Sequence, residues 1–218
     1  MAVITYSLKK DKDTKLSTNF KVGEFRCKDG SDVIKIDTEL VEVLQKIRTH
    51  FKKAVTINSA YRTERYNKSI GGASKSQHIY GKAADITVKG VDPVSIAIYA
   101  SEVLGTKGGV ELGSYGEGFD GYVHIDVRDS KWRGIIVNRN SKYTTYQTFP
   151  PTVMFGSTGD AVVVISRKLK KLGYLSTVMT KCNGIMHNAI KQFQANNELK
   201  RDGIFGKKSW EKLADVLK

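Results

Sequence analysis

The chain has 218 residues, of which 40% are hydrophobic and 27% charged, a composition typical of folded globular domains and not of disordered chains. No stretch approaches the ~18–20 apolar residues of a membrane-spanning helix, so we expect no membrane insertion. Two distant cysteines, Cys27 and Cys182, exclude a disulfide framework and a four-cysteine zinc site. The net charge of +14 favours polyanionic partners: nucleic acid, anionic lipid or an anionic cell wall.

The first part of the chain predicts a mixture of helices and strands. The N-terminal segment MAVITYSLKK is charged where a secretory signal would be apolar, so we expect no signal peptide. Apolar residues recur at helical spacing over residues 38–52, which predicts an amphipathic helix. A second helix is expected after Asp92 as N-cap, with Pro93 in its first turn and Gly105 at its end.

Strand-like runs lie between and after these helices, at residues 55–58, 83–88, 110–112 and 122–127. Strands and helices do not alternate regularly along the chain. We therefore predict an α+β domain with an antiparallel sheet.

The C-terminal part differs in composition from the rest. A polar segment near residues 138–158 carries Pro150 and Pro151, which predicts a linker. Beyond it, residues 151–218 hold 12 basic against 5 acidic residues, half of the net charge in under half of the length. A weak internal repeat, with turns predicted at Asn183-Gly184 and Asp202-Gly203, indicates a small all-α three-helix bundle. We predict domains at 1–140 and 154–218, joined by a linker at 141–153.

Two of the predicted strands each carry a residue that can bind a metal. Side chains alternate between the faces of a strand, so Asp85 lies opposite the apolar face of one strand and His124 opposite that of another. His78 lies just before the first of these strands. A His, Asp, His set leaves one position of a tetrahedral zinc open, which is the pattern of catalytic sites. A half-buried histidine and a surface carboxylate are the alternative interpretation.

The pattern Ser76-x-His78-x-x-Gly81-x-Ala83-x-Asp85, followed by His124 on a later strand, resembles the zinc D-Ala-D-Ala carboxypeptidase family. That family includes phage L-alanyl-D-glutamate endopeptidases and shares its zinc scaffold with the hedgehog signalling domain. The resemblance covers about residues 20–135. Further landmarks are the segments 25–30, 57–63 and 71–73 and Asn67.

The resemblance implies roles for individual residues. His78, Asp85 and His124 match the zinc ligands. Arg62 matches an arginine that binds a substrate carboxylate or polarises the scissile carbonyl, although a surface salt bridge is its alternative role. Ser76 and Gln77, beside the first ligand, are the other candidates for substrate binding.

The general base stays open between two carboxylates. Several members of the family have an acid three residues before the last ligand, but here that position is Gly121. Asp120 and Asp126 are the candidates, since strand alternation places Asp126 on the face of His124. Asp126 could instead orient His124 as its hydrogen-bond partner.

Residues 154–218 resemble a peptidoglycan-binding domain, on the segments Gly156 to Val162, Gly173-Tyr174-Leu175 and Asp202 to Gly206. The first half departs from the family, with Asn183 to His187 where a second Asp-Gly-x-x-Gly would stand. Phe193 and Trp210 are expected to pack in the core. The basic charge suits an anionic wall polymer.

Together the two resemblances imply a zinc-dependent peptidoglycan hydrolase, a monomer that remains in the cytoplasm until lysis as a phage or prophage lysin does. We expect cleavage between L-Ala and D-Glu of the stem peptide, because removal of a terminal D-Ala does not open the wall. The alternatives are a D-Ala-D-Ala carboxypeptidase and a non-catalytic zinc protein that binds the wall. Nucleic-acid binding rests on the charge alone, and we expect none.

Overall fold

A computed structural model describes residues 2–114, 121–137 and 144–217. It confirms the predicted α+β fold with antiparallel strand pairs and a helical C-terminal part. The strands are β1 (Val3–Ser7), β2 (Val33–Asp37), β3 (Val55–Ser59), β4 (Ala83–Val88), β5 (Gly109–Ser114), β6 (Gly121–Asp126), β7 (Trp132–Ile136) and β8 (Thr144–Thr145). The helices are α1 (Leu8–Asp11), α2 (Thr38–Phe51), α3 (Glu64–Ser69), α4 (Pro93–Leu104), α5 (Asp160–Lys171), α6 (Gly184–Asn196) and α7 (Lys207–Val216), with a 3-10 turn at Val22–Phe25.

The chain forms two compact units, neither of which is continuous in sequence. The first comprises Met1–Lys89, Tyr99–Val110 and Val123–Trp132, and the second comprises Gly90–Ile98, Glu111–Tyr122 and Arg133–Lys218. The division into domains at residues 1–140 and 154–218 follows the sequence motifs and stays a prediction. Within the described ranges, no helix has the length and apolarity needed to cross a membrane.

The strands form a two-stranded sheet, β1-β2, and a six-stranded sheet in the order β3-β4-β6-β5-β7-β8. Ser59 on β3 lies opposite Asp85 on β4, and Asp85 lies opposite His124 on β6. Directly opposed residues of an antiparallel pair share a face of the sheet. The pairing therefore places three polar side chains in one row across three strands.

The helix predicted over residues 38–52 is α2. Asp37 caps its start by accepting a hydrogen bond from the Glu39 backbone N–H at 2.9 Å, and Lys52 ends it in the left-handed conformation with φ of 53°. Such a cap contributes about 1 kcal/mol. The helix contacts β2 and β3. Its buried residues are Leu40, Val41, Val43, Leu44 and Ile47.

The C-terminal helices α5, α6 and α7 enclose an aromatic cluster. Phe193, Phe205 and Trp210 are fully buried, which confirms the packing role expected for Phe193 and Trp210. The indole N–H of Trp210 donates to the Pro151 carbonyl at 2.7 Å, so its one polar group is satisfied. Asn183 caps α6 with its side chain, and the Asn183-Gly184 pair therefore begins a helix where a turn was predicted.

A buried ion pair joins the start of α4 to α5. As predicted, Asp92 caps α4, accepting from the Val94 backbone N–H at 2.9 Å. Its other oxygen accepts from the Lys168 ammonium at 2.5 Å, and the two side chains are 0% and 2% exposed. Both charged groups are buried, and their pairing offsets part of the cost of removing them from water.

Replacing Lys168 with methionine is expected to lower the free energy of unfolding by about 3–5 kcal/mol, because the buried Asp92 carboxylate would lose the cation that pairs with it. Urea denaturation followed by circular dichroism measures the change. The matched control is Lys208→Met at an exposed position of α7, where we expect a change within about 0.5 kcal/mol. Equal stability of the two variants would contradict a stabilising contribution of the lysine.

Candidate metal centre

Three side chains predicted as metal ligands converge in the first unit. His78 lies in the turn before β4, Asp85 lies on β4 and His124 lies on β6. The Asp85 Oδ1 atom is 3.2 Å from His78 Nε2 and 2.9 Å from His124 Nδ1. The two histidine nitrogens are 3.2 Å apart. Three ligand atoms from three separate segments therefore form one small triangle.

The two imidazole rings are oriented by partners on their far sides. His78 is 2% exposed, and its Nδ1 donates to the Ala60 carbonyl at 2.6 Å. His124 Nε2 lies 3.1 Å from Asp126 Oδ2 and donates to it. A metal-binding histidine usually donates its other ring N–H to a carbonyl or carboxylate in this way. The nitrogens that remain are the two that face Asp85.

The triangle fits a tetrahedral zinc ion. Zinc bonds of ~2.0–2.2 Å to nitrogen and oxygen place the ligand atoms about 3.3–3.6 Å apart, a few tenths of an ångström more than here. Three atoms that all accept hydrogen bonds repel one another unless a proton or a cation lies among them. His78, Asp85 and His124 could thus hold a metal ion and leave its fourth position open.

The protonation of the cluster follows from its carboxylates. Burial opposes the charged form of His124, but hydrogen bonds to Asp126 and Asp85 outweigh it and raise the pKa to about 10. Burial lowers the pKa of His78 below its ordinary value. Burial alone would raise the pKa of Asp85, but its interactions with both histidines hold that pKa well below the usual range. Without a metal, His124 is therefore a protonated imidazolium that lies between two ionised carboxylates.

Asp126 is enclosed by hydrogen-bond donors. Its side chain is fully buried, and it accepts from the backbone N–H groups of Gly109 and Arg128, each at 3.1 Å. The Arg128 guanidinium adds bonds from Nε at 2.7 Å and from Nη2. Burial opposes ionisation, yet the hydrogen bonds from His124 and Arg128 hold the pKa of Asp126 well below its usual range. Such a carboxylate accepts a further proton only at a large cost.

Gly109 lets the backbone lie close to the Asp126 carboxylate. A Cβ at position 109 would lie 2.1 Å from the Asp126 Oδ2 atom, so only glycine fits beside the carboxylate. Gly81, in the turn between His78 and β4, has φ of 71°, and a Cβ there would lie 2.4 Å from the Lys35 carbonyl oxygen. The turn that carries His78 can therefore pass directly against β2.

Arg62 lies against the ligand Asp85. Its Nη2 donates to Asp85 Oδ2 at 2.6 Å, and its Nε donates to the Ser59 hydroxyl at 2.9 Å. Both side chains of the ion pair are 14% exposed. Because Arg62 holds Oδ2, the Oδ1 atom is turned towards the two histidines.

The remaining predicted site residues lie apart from this cluster of contacts or outside the described ranges. Ser76 and Gln77 are half-buried in the turn before His78, where their carbonyls accept from Ile79 and Tyr80 N–H groups. Asp120 lies outside the described residues.

Sequence reasoning missed three groups that orient the candidate ligands: the Ala60 carbonyl, the Ser59 hydroxyl and the Arg128 guanidinium. Arg128 could have been found, because residues 124, 126 and 128 continue the same period of two. The Ala60 carbonyl could not, since its contact depends on how the end of β3 and the turn before β4 meet in space. The Ser59 hydroxyl bonds Arg62 only three residues further along the chain, but the Asp85 carboxylate that Arg62 holds is distant in sequence.

Two family models match the chain. Peptidase M15 matches residues 17–126, just over half of the chain, and this range holds all three candidate ligands. A peptidoglycan binding domain matches residues 158–213, which include α5, α6 and most of α7. A comparison with curated proteins finds no match. The chain therefore belongs to the Peptidase M15 family, as a metallopeptidase that acts on peptidoglycan and carries a peptidoglycan-binding domain in its C-terminal part.

Proposed function

We propose that the protein is an endopeptidase that cleaves the bond between L-Ala and D-Glu in the peptidoglycan stem peptide, with zinc held by His78, Asp85 and His124. The observation that carries the zinc site is the triangle of ligand atoms, 2.9–3.2 Å on a side. The choice of bond rests on chemistry. Cutting at L-Ala frees the cross-linked peptide from the sugar strand, whereas removal of a terminal D-Ala leaves the mesh closed.

The chain's own residues hold and orient the reacting groups. Zinc bound at the open-sided centre would supply a water with a pKa of about 7 and would polarise the scissile carbonyl. Arg62 keeps the Asp85 carboxylate in the orientation that the ligand set needs. Asp126 fixes the tautomer and the angle of His124 and is held in turn by Arg128.

We propose Asp120 as the proton acceptor. Both oxygens of Asp126, the other candidate, already accept hydrogen bonds from Gly109, His124 and Arg128, which makes this carboxylate a poor proton acceptor. A general base needs an oxygen within reach of the attacking water and a pKa nearer to neutrality. In the sequence, Asp120 comes directly before β6, the strand that carries His124.

At pH 6, where a zinc-bound water with a pKa of about 7 stays mostly neutral, zinc binding is expected to release about one proton per chain. The raised pKa of His124, about 10, means that the metal-stripped protein keeps that proton at neutral pH, and zinc must displace it. The apparent zinc affinity should therefore rise roughly tenfold per pH unit below pH 7, and more steeply above it as the bound water also ionises. Calorimetry in buffers of different ionisation enthalpy counts the protons. Zinc binding without proton release would contradict the assignment of His124 as a ligand.

We further propose that residues 154–218 bring the enzyme to the wall. Residues 151–218 carry 12 basic and 5 acidic residues, which complements anionic wall polymers as well as peptidoglycan itself. A monomeric lysin of phage or prophage origin, with its peptidase in residues 1–140 and a linker at 141–153, is the arrangement we propose.

Mass spectrometry of the muropeptides released from purified cell walls tests the proposed bond. We expect new N-termini at D-Glu and stem peptides that have lost L-Ala. Loss of only a terminal D-Ala would instead identify a D-Ala-D-Ala carboxypeptidase and overturn the proposed bond. A parallel digest with a chelator reports whether the release depends on metal.

A further inference from the structure

A cleft of about 590 Å³ lies in the first unit, and its lining includes Gln77, the residue before the candidate ligand His78. One wall comes from the β1-β2 hairpin, through Val3, Thr5 and Lys35. The other wall comes from the segment that follows β6 and from the turn that carries His78. The residues of that second wall are Gln77, Tyr80, Lys82, Arg128 and Asp129.

The cleft is connected to the metal centre by direct contacts. Gln77 precedes the candidate ligand His78 in the chain, and the Lys82 carbonyl accepts from the Val127 backbone N–H at 3.0 Å. Arg128 bonds Asp126, which bonds the His124 ring. One end of the cleft is therefore only two side chains from a metal ligand. An extended peptide advances ~3.3–3.6 Å per residue, so a substrate bound at the metal can extend towards the cleft.

The lining has an excess of positive charge. Lys35, Lys82 and Arg128 face one acidic residue, Asp129, and the other polar groups are neutral. Among residues 2–114, 121–137 and 144–217, neither Lys35 nor Lys82 forms an ion pair. Arg62, the cation that the family resemblance assigns to a substrate carboxylate, gives two of its nitrogens to Asp85 and Ser59. Lys35 and Lys82 are therefore the cations of the cleft that can bind an anionic group of the substrate.

We propose that this cleft is a specificity subsite in which Lys35 and Lys82 bind a free carboxylate of the stem peptide next to the scissile bond. The proposal rests on the proposed function. Glutamate has two carboxyl groups, and only one of them forms the peptide bond to the next residue of the stem. In a substrate cleaved at L-Ala–D-Glu, the other carboxylate is therefore free and close to the scissile bond. An ammonium–carboxylate pair in this open cleft discriminates against the amide, which carries no charge.

The test compares two synthetic stem peptides that differ only in that group: one with the free carboxylate and one with its amide. We expect the wild-type enzyme to prefer the carboxylate. In Lys35→Met/Lys82→Met, kcat/KM for the carboxylate peptide should fall roughly 10- to 100-fold, mainly through KM, while the amide peptide is cleaved as before. The preference should also weaken as salt is added.

The matched control is Lys53→Met, which removes the same charge from an exposed position. Lys53 precedes the end of β3 that pairs with Val88, whereas the metal centre lies at Ser59 and Asp85 at the other end. The control should keep the wild-type preference. Single variants at Lys35, which is exposed on β2, give the same comparison without a change at the turn that carries His78.

Two results would overturn the subsite: an equal loss of kcat/KM for both peptides, or an unchanged preference in the double variant. Mass spectrometry of the products separates these from a failure of the proposed function. Cleavage at another bond would refute the L-Ala–D-Glu assignment, while the effect of the lysines on the two peptides would still decide the subsite. Zinc content and circular dichroism of each variant establish that it is folded and metal-loaded.

Discussion

Replacing His124 with alanine is expected to abolish peptidoglycan hydrolysis and to lower the zinc content from about one ion per chain to near zero. Two ligands would remain, and the Asp85 carboxylate would lose the nitrogen that lies 2.9 Å from its Oδ1 atom. Loss of the metal removes the activated water and the polarised carbonyl together, so the rate should fall by more than about 10³-fold. Atomic absorption measures the zinc, and the clearing of a cell-wall suspension measures the activity.

The matched control for this variant is His50→Ala. His50 also carries an imidazole in the first unit, but it stacks on Tyr99, with ring centroids 3.7 Å apart, and makes no contact with the candidate ligands. This control should keep both zinc and activity. An active, zinc-loaded His124→Ala enzyme would contradict the assignment of His124 as a ligand.

Replacing Asp126 with asparagine is expected to weaken zinc binding by roughly 10–100-fold, the usual effect of removing the partner of a metal-binding histidine. The amide keeps one acceptor oxygen but turns an NH2 group towards donors that now have no partner. These donors come from His124, Arg128 and Gly109. Activity should be lost at limiting zinc and should return in large part when zinc is added in excess.

Asp120→Asn is the matched variant, since it makes the same chemical change at the other candidate carboxylate. If Asp120 is the base, this variant should keep its zinc and lose activity by on the order of 10²–10⁴-fold, with no rescue by added zinc. The opposite pattern would identify Asp126 as the base: zinc retained, activity lost and excess zinc without effect in Asp126→Asn. Titration of zinc against activity in both variants distinguishes the two assignments.

Local patterns were sufficient to predict much of the fold. The helix expected over residues 38–52 is α2, because its apolar spacing agrees with the side on which the sheet lies. The strand expected at 83–88 is β4. Its residues alternate in polarity, which places the apolar side chains on the buried face of the sheet and the polar ones on the other face. The β1-β2 pair was not predicted. No residue of β1 is buried, so this strand lacks the alternation that marks a half-buried sheet. β2 does alternate, with Ile34 and Ile36 buried and Val33 and Lys35 exposed, but its short run was not recognised as a strand.

The candidate ligands were predicted for the same local reason. The spacing from His78 to Asp85, and the position of His124 on a later strand, are properties of the sequence, and strand alternation turns both Asp85 and His124 to one face. That the two strands are neighbours, with Asp85 directly opposite His124, was not contained in either segment. The order of strands in the sheet decides it, since β5 lies between β4 and β6 in the chain but not in the sheet.

By itself, the sequence determined the identity and spacing of the candidate metal ligands, the faces of their strands and the basic C-terminal part. It left two roles for Asp126, as a base or as the partner of His124, because a period of two describes both equally well. Only the tertiary structure distinguishes them. The donors that occupy Asp126 come from residue 109 as well as from residues 124 and 128, and the glycine at 109 lies 17 positions away in the chain. Such distant contacts decide which carboxylate oxygens can accept a proton. The pKa of a carboxylate depends on every hydrogen-bond donor around it and not only on its neighbours in sequence.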